Sequence, residues 1–343
     1  MWIQKLHTLG LLTSSFLLSD YLQNLRTFYA HREHLIEQTA MYVNKMQKAL
    51  RLMNIRLDVA IRDIAGKSGR AIVDAILAGK RDPDYLASLA HFRVKKGKQE
   101  IAAALHGNWR DDLLFELQSC LAFYDAYKRE INACDRKIES MLQQYIPHPD
   151  PLPLQANISE KPIHKQVNKN SPAFNVRQLA FTHLRTDLFQ IPGVSHSTTL
   201  CILCNMGTDI KRFPSAKHFA SWLRLVPNNK LSGGRLISSR TPKGKNVLAI
   251  AFRQAANSIG NQEKHPLAPF FKRIAYRKGR NAAVTATARK LAIIIWNMIT
   301  KSQPYLHRDP EVVLEIRKHT QIKNIKKRLF MLNMTEAEIV LTP

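Results

Sequence analysis

A serine standing before two glycines, Ser232-Gly233-Gly234, is the arrangement in this chain best suited to covalent chemistry on a phosphodiester. Glycines carry no side chain, so a phosphate can approach the neighbouring hydroxyl closely, and a serine oxygen relieved of its proton attacks phosphorus. Arg235, Arg240, Lys243 and Lys245 follow within a few residues, where cations would stabilise the charge that develops on a pentavalent phosphate. The bland reading of the same three residues is a hairpin turn. No Asp or Glu occurs from Ile210 through Gln262, so neither a general base nor a metal ligand stands near Ser232 in sequence. Its activating group has to come from another part of an assembly.

A second phosphate-binding candidate is Ile191-Pro192-Gly193-Val194, followed by an apolar stretch from Thr199 to Met206. It has the cadence of a helix-hairpin-helix, whose glycine turn points backbone N–H groups at a phosphate. Ser195 stands where a second glycine usually follows, so phosphate binding and a plain helix connection both stay open for Gly193. Lys211 and Arg212 are further candidate contacts, ahead of Ser215, which reads as the N-cap of a short helix to Leu223. Cys201 and Cys204 form a CxxC, but it lies in an apolar run and lacks two further ligands, so core packing is expected rather than zinc. Gly66-Lys67-Ser68-Gly69 is not a nucleotide-binding loop, because position 61 is Ile61 where a glycine is needed; it reads as a helix-terminating turn.

The charge balance names a polyanionic partner. The 343 residues carry 52 Lys and Arg against 26 Asp and Glu, a net charge of +26. The excess is uneven: 24 basic and 18 acidic residues up to Pro172, but 28 basic and 8 acidic from Ala173 onward. Between Ile210 and Arg308 the only carboxylate is Glu263, so a sugar-phosphate backbone lying there meets almost no like-charge repulsion. Nucleic acid is the expected partner. No run of about 18 apolar residues predicts a membrane span, and Gly10, Thr13, Ser14 and Ser15 interrupt the apolar start without a cleavage site. A cytoplasmic location is expected.

These residues must be positioned by helices. From Tyr21 to Met53, Leu22, Leu25, Tyr29, Ile36, Val43, Met46, Leu50 and Met53 recur at spacings of three and four, interrupted on that seam by Arg32 and Thr39. From Trp109 to Tyr145, Leu113, Leu117, Cys120, Tyr124, Tyr127, Ile131, Cys134, Ile138 and Met141 repeat as in a coiled coil. That helix is expected to pair with another subunit or with the first long helix. The predicted organisation is mainly α: a long-helix segment at 1–55, a helical insert at 56–108, a coiled coil at 109–146, a proline-rich linker at 147–175 and a basic domain with a basic tail at 176–343.

One resemblance is specific. Phe213-Pro214-Ser215-Ala216-Lys217-His218-Phe219-Ala220-Ser221-Trp222-Leu223, then Val226-Pro227-Asn228-Asn229, Ser232-Gly233-Gly234 and Ser238-Ser239-Arg240-Thr241, resembles the carboxy-terminal domain of the insertion-sequence 110 transposase family, nearest its 1111 subgroup. Similarity continues through Thr285-Ala286-Thr287-Ala288-Arg289-Lys290-Leu291-Ala292, and Trp2-Ile3-Gln4-Lys5-Leu6-His7 is also similar to the family. The resemblance implies a bacterial DNA transposase in which Ser232 attacks a DNA strand, with Gly233, Gly234, Arg235, Arg240, Lys243, Lys245, Gly193, Lys211 and Arg212 on nucleic acid. It also implies a structured guide RNA, homo-oligomers (dimers or tetramers), and a RuvC-like domain whose Asp-Glu-Asp-Asp set holds Mg²⁺. In the family those acids precede the Trp-Ile-Gln block, which here begins at Trp2. The expectation is therefore an amino-terminally truncated chain with a RuvC-like remnant at 1–55 and a helix-hairpin-helix-like transposase domain, binding no metal by itself and inactive alone. The alternative expectation is a nucleic-acid-binding, oligomerising remnant that modulates full-length transposase.

Overall fold

The computed structural model describes residues 2–12, 17–145, 169–263, 265–305 and 310–331. They fall into two compact units, one reaching through the first long helices and including 169–176, the other running from Arg177 onward. Most of the expected linker lies outside the described residues.

In the first unit a short helix α1 (Trp2–Thr8) buries nothing of its own. The unit is organised by α2 (Asp20–Leu52) and α7 (Asp111–Gln144), with four short helices between them: α3 (Leu57–Ala60), α4 (Lys67–Leu77), α5 (Pro83–Ser88) and α6 (Lys98–Ala104). The two long helices run antiparallel. The Tyr21 hydroxyl donates to the Met141 carbonyl at 3.1 Å, and Tyr42 stacks on Tyr127 and Phe123. Both apolar seams read from the sequence meet here, and Cys120 and Cys134 are buried in them.

The interruption at Arg32 has a cause. Arg32 is 1% exposed and its Nε donates to Asp135 Oδ1 at 2.5 Å, with Asp135 itself 2% exposed on α7. The remaining valences are used locally: Arg32 Nη2 donates to the Asn170 carbonyl at 2.9 Å, and Asp135 Oδ2 accepts the Ala173 N–H at 3.1 Å. A buried charge pair thus fixes the register of the two helices and fastens residues 170–173 across them. The Gly66–Gly69 string differs from expectation, because it starts a helix rather than ending one. Gly66 is the N-cap of α4, and Ser68 and Gly69 lie buried within it, Gly69 against the Ile64 backbone.

The second unit is a helical cluster around α13 (Arg280–Lys301), which buries Ala283, Thr287, Ala288, Leu291, Ala292, Ile295, Met298 and Ile299. Packed on it are α10 (Ala216–Trp222), α11 (Val247–Gly260) and α12 (Ala268–Lys278), with α9 (His196–Asn205) against α11; the same unit also contains α8 (Val176–Leu184) and α14 (Pro310–Met331). Among the described residues α13 is the one helix long and apolar enough to cross a membrane. Its small and branched apolar residues serve instead as the centre of this core. Cys201 and Cys204 are buried in α9, as the apolar run predicted. The only strands among the described residues are β1 (Lys230–Ser232) and β2 (Arg235–Ser238), an antiparallel pair between α10 and α11.

Candidate nucleic-acid interface

The Ser-Gly-Gly motif forms the tip of the β1–β2 hairpin. Ser232 pairs with Arg235 across a two-residue loop, and Leu231 pairs with Leu236. Gly233 and Gly234 have φ of 55° and 74°. Positive φ at both central residues is the primed turn whose twist suits a hairpin, and it is costly for residues with a Cβ. No atom lies within 4 Å of where a Cβ would stand on either glycine, so the turn projects into open space. Every residue from Lys230 to Ile237 is exposed, including Ser232 and Arg235. The Asn228 N–H donates to the Arg240 carbonyl at 2.9 Å and closes the base of the hairpin. Past it, Arg224 reaches over to donate to the Lys243 carbonyl, which holds the loop carrying the exposed Lys243 and Lys245.

Beside this hairpin lies a groove of about 1160 Å³, bounded by Leu225, Asn229, Leu236 and Arg240 on the hairpin side and by α12 and α13 on the other. The helices contribute Arg273, Arg277, Lys278, Arg289 and Lys290, and no carboxylate lines it. The start of α13 is tied to the end of α11 by Arg280, whose guanidinium donates to Asn257 and Asn261 at 2.7 Å each and lies over the Phe271 ring of α12. Like charges are brought together here because the fold, not mutual attraction, sets where the two helices lie.

The other sequence candidates are placed apart from this groove's lining. Gly193 has φ of 87°, and a Cβ there would stand 2.7 Å from Ile259 Cγ1, so the turn needs glycine both for its backbone and for its packing on α11. The preceding Pro192 carbonyl is 2.7 Å from His265 Nε2; since Nδ1 accepts the Leu267 N–H, Nε2 is the nitrogen that carries the donated proton. Lys211 is exposed at the end of a 3-10 turn, while Arg212 lies 3.6 Å from Asp209. Ser215 caps α10 as expected, accepting from the His218 N–H, and its Oγ is also 2.7 Å from His218 Nδ1. Of the predicted contacts only Arg240 lines the groove. Sequence reasoning missed Arg273, Arg277 and Arg289, although the lack of any carboxylate from Lys264 to Arg308 was a usable signal.

Residues 185–268, which include the Gly193 turn, the hairpin and α11, match the family model described as Transposase IS116/IS110/IS902 family. Over that segment the chain is similar to this family. It is also 30% identical over 121 residues to the transposase for insertion sequence element IS1111A of Coxiella burnetii (strain RSA 493 / Nine Mile phase I), an alignment covering 34% of this chain and 32% of that protein. The chain thus matches about a third of the length of its curated relative. The family-matched segment contains the hairpin side of the groove, whereas α13 lies beyond it.

Among the described residues no group of three or more His, Cys, Asp or Glu side chains converges to hold a metal ion. The donor set around the hairpin is cationic and does not fit Mg²⁺, so no step is derived through a metal here.

Proposed function

We propose that the chain is a transposase component whose second unit binds DNA and offers Ser232 as the nucleophile for strand exchange. The observation that carries this reading is the exposure of Ser232 at a turn of two side-chain-free residues, in a surface without carboxylates. In the proposed step Ser232 Oγ bonds to phosphorus, the ester bond to one deoxyribose oxygen breaks, and that oxygen leaves with the bonding electrons. The hydroxyl proton passes to a base outside the hairpin, since no Asp or Glu lies between residues 210 and 262. Attack by a sugar hydroxyl of the exchanging strand on the phosphoserine reverses the bond changes and releases serine. Arg235, paired with Ser232 across the turn, would hold the phosphate as its charge rises, and Arg240 at the base of the hairpin would hold the strand beyond it.

The proposed assembly also includes a structured guide RNA, further copies of the chain and a metal-holding acidic site contributed from elsewhere. A second reading, binding without chemistry, is favoured by the absence of a metal-ligating cluster among the described residues. Comparing the unaltered chain with Ser232→Ala, alone and together with a transposase of the matched family, separates the two. Covalent protein–DNA adducts and joined strands that vanish with Ser232→Ala, while DNA binding persists, support the first reading. Adduct formation that survives Ser232→Ala refutes the nucleophile assignment. An unaltered chain that binds DNA but joins nothing, even with a transposase of the matched family, leaves the binding-only reading in possession.

A further inference from the structure

We propose that the groove between the hairpin and the α12–α13 corner seats an unpaired nucleic-acid strand, with Arg289 as its central phosphate grip. This rests on the reading that the second unit handles nucleic acid, but its central cations, Arg273, Arg277 and Arg289, lie on α12 and α13 rather than in the serine hairpin.

Arg289 lines the groove, yet its Nε is shielded from water and has no hydrogen-bond acceptor. It forms no ion pair among the described residues. Arginine does not shed its proton to escape burial, so the half-buried Arg289 keeps its charge at the groove with no carboxylate to neutralise it, and its outer guanidinium nitrogens can take an acceptor that enters. A phosphate, with two oxygens spaced for the guanidinium fork, matches that need. Arg240, Arg273 and Arg277 line the same groove and likewise form no ion pair among the described residues. On one wall Phe270 has Lys290 Nζ 4.6 Å and the Arg273 guanidinium 5.7 Å from its ring centre. The ring's electron-rich face thereby supports two neighbouring cations where a carboxylate would repel the ligand.

The rest of the wall decides between duplex and single strand. Leu225, Leu236, Ile274 and Ile293 give the groove an apolar lining, with Asn229 and Asn281 among them. A duplex turns phosphates outward and keeps base faces stacked inside, so it gains nothing from apolar walls flanked by cations. An unpaired strand presents base faces to the apolar residues, base edges to the asparagines and phosphates to the arginines. DNA and RNA strands share this chemistry.

The test measures fluorescence anisotropy of the full chain with one short sequence prepared as single-stranded DNA, single-stranded RNA and duplex DNA. Both single strands are expected to bind more tightly than the duplex, and a preference between them identifies the source. Arg289→Ala is expected to weaken single-strand binding about tenfold or more. It should also flatten the dependence of log K on log salt by about 0.7. Arg277→Ala, on an exposed position of α12, should act in the same direction and serves should Arg289→Ala fail to fold. Equal affinity for duplex and single strands, or single-strand affinity indifferent to both variants, overturns the proposal. Ser232→Ala should leave strand binding unchanged, so a groove that fails while Ser232-dependent joining persists sinks this inference alone. Binding to the groove with no joining even beside a transposase of the matched family sinks the serine reading alone.

Discussion

The hairpin turn allows the proposed nucleophile to be perturbed without touching the core. Gly233 and Gly234 both have left-handed φ, and a Cβ on either would meet nothing within 4 Å. Alanine at both positions therefore costs backbone energy alone, about 1–2 kcal/mol each and about 2–4 kcal/mol together. The hairpin has three paired positions and two exposed strands, and an isolated two-stranded hairpin is at best marginally stable in water. The double substitution should exceed its margin and open it, separating Ser232 from Arg235. Gly233→Asn is the control, because asparagine tolerates this conformation and Asn-Gly is the preferred pair for the turn. The assay is cross-strand NOE contact between Leu231 and Leu236, together with thermal unfolding of the whole chain. The contact should vanish in the double alanine variant, persist in Gly233→Asn, and leave the melting midpoint unchanged in both. Strand joining should follow the contact. If the double alanine variant joins strands as well as the unaltered chain, the turn does not present the nucleophile and the chemical assignment of Ser232 falls.

Two further perturbations address the first unit. Arg32→Met leaves Asp135 buried without its charge partner, which costs about 3–5 kcal/mol. For a unit of this size that lowers the melting midpoint by about 6–20 °C. Combining it with Asp135→Leu should recover most of the loss but not all, because the Asn170 carbonyl and Ala173 N–H also lose their partners; a double variant no better than the single denies the coupling. Separately, the hydrogen bond from Arg51 holds the Asp58 carboxyl below the usual carboxylate range. Its contribution to stability is present above pH about 4 and is lost as pH falls through the lowered folded value. Asp58→Asn should accordingly lower the melting midpoint at neutral pH and converge with the unaltered chain in acid, and a constant difference at every pH refutes the linkage.

What could be read in the sequence was whatever repeats along one element. Both long helices follow from apolar spacing, and α2 and α7 begin and end within two residues of the predicted segments. The seam break at Arg32 was visible as an anomaly, but its resolution was not, since Asp135 lies 103 positions away. Local chemistry likewise announced the Ser215 cap and the buried Cys201 and Cys204. The Gly66–Gly69 string was read in the wrong direction because a glycine can cap either end of a helix, and only packing on Ile64 settles which. The groove was illegible for a different reason. Its cations come from β2, α12 and α13, whose proximity depends on the Arg280 contacts and on the apolar face of α13.

The electrostatics of the second unit suggest why its proposed nucleophile stands apart from acids. A carboxylate close enough to deprotonate Ser232 would also repel the phosphate that Ser232 is to attack, and it would pair with the arginines meant to hold that phosphate. Arg177 and Asp187 show the second effect elsewhere in the same unit, closed on each other at 2.6 Å. Keeping the hairpin and groove free of such partners leaves their guanidinium donors available, so a strand can be gripped before any reactive group is assembled around it. On the proposed reading, binding and bond-breaking are then separate events: the cations dictate affinity and its salt dependence, while the base delivered from outside dictates rate. Raising salt should consequently release the strand from the unaltered chain and from Ser232→Ala alike, with the same slope, because the serine hydroxyl carries none of the charge that holds the strand.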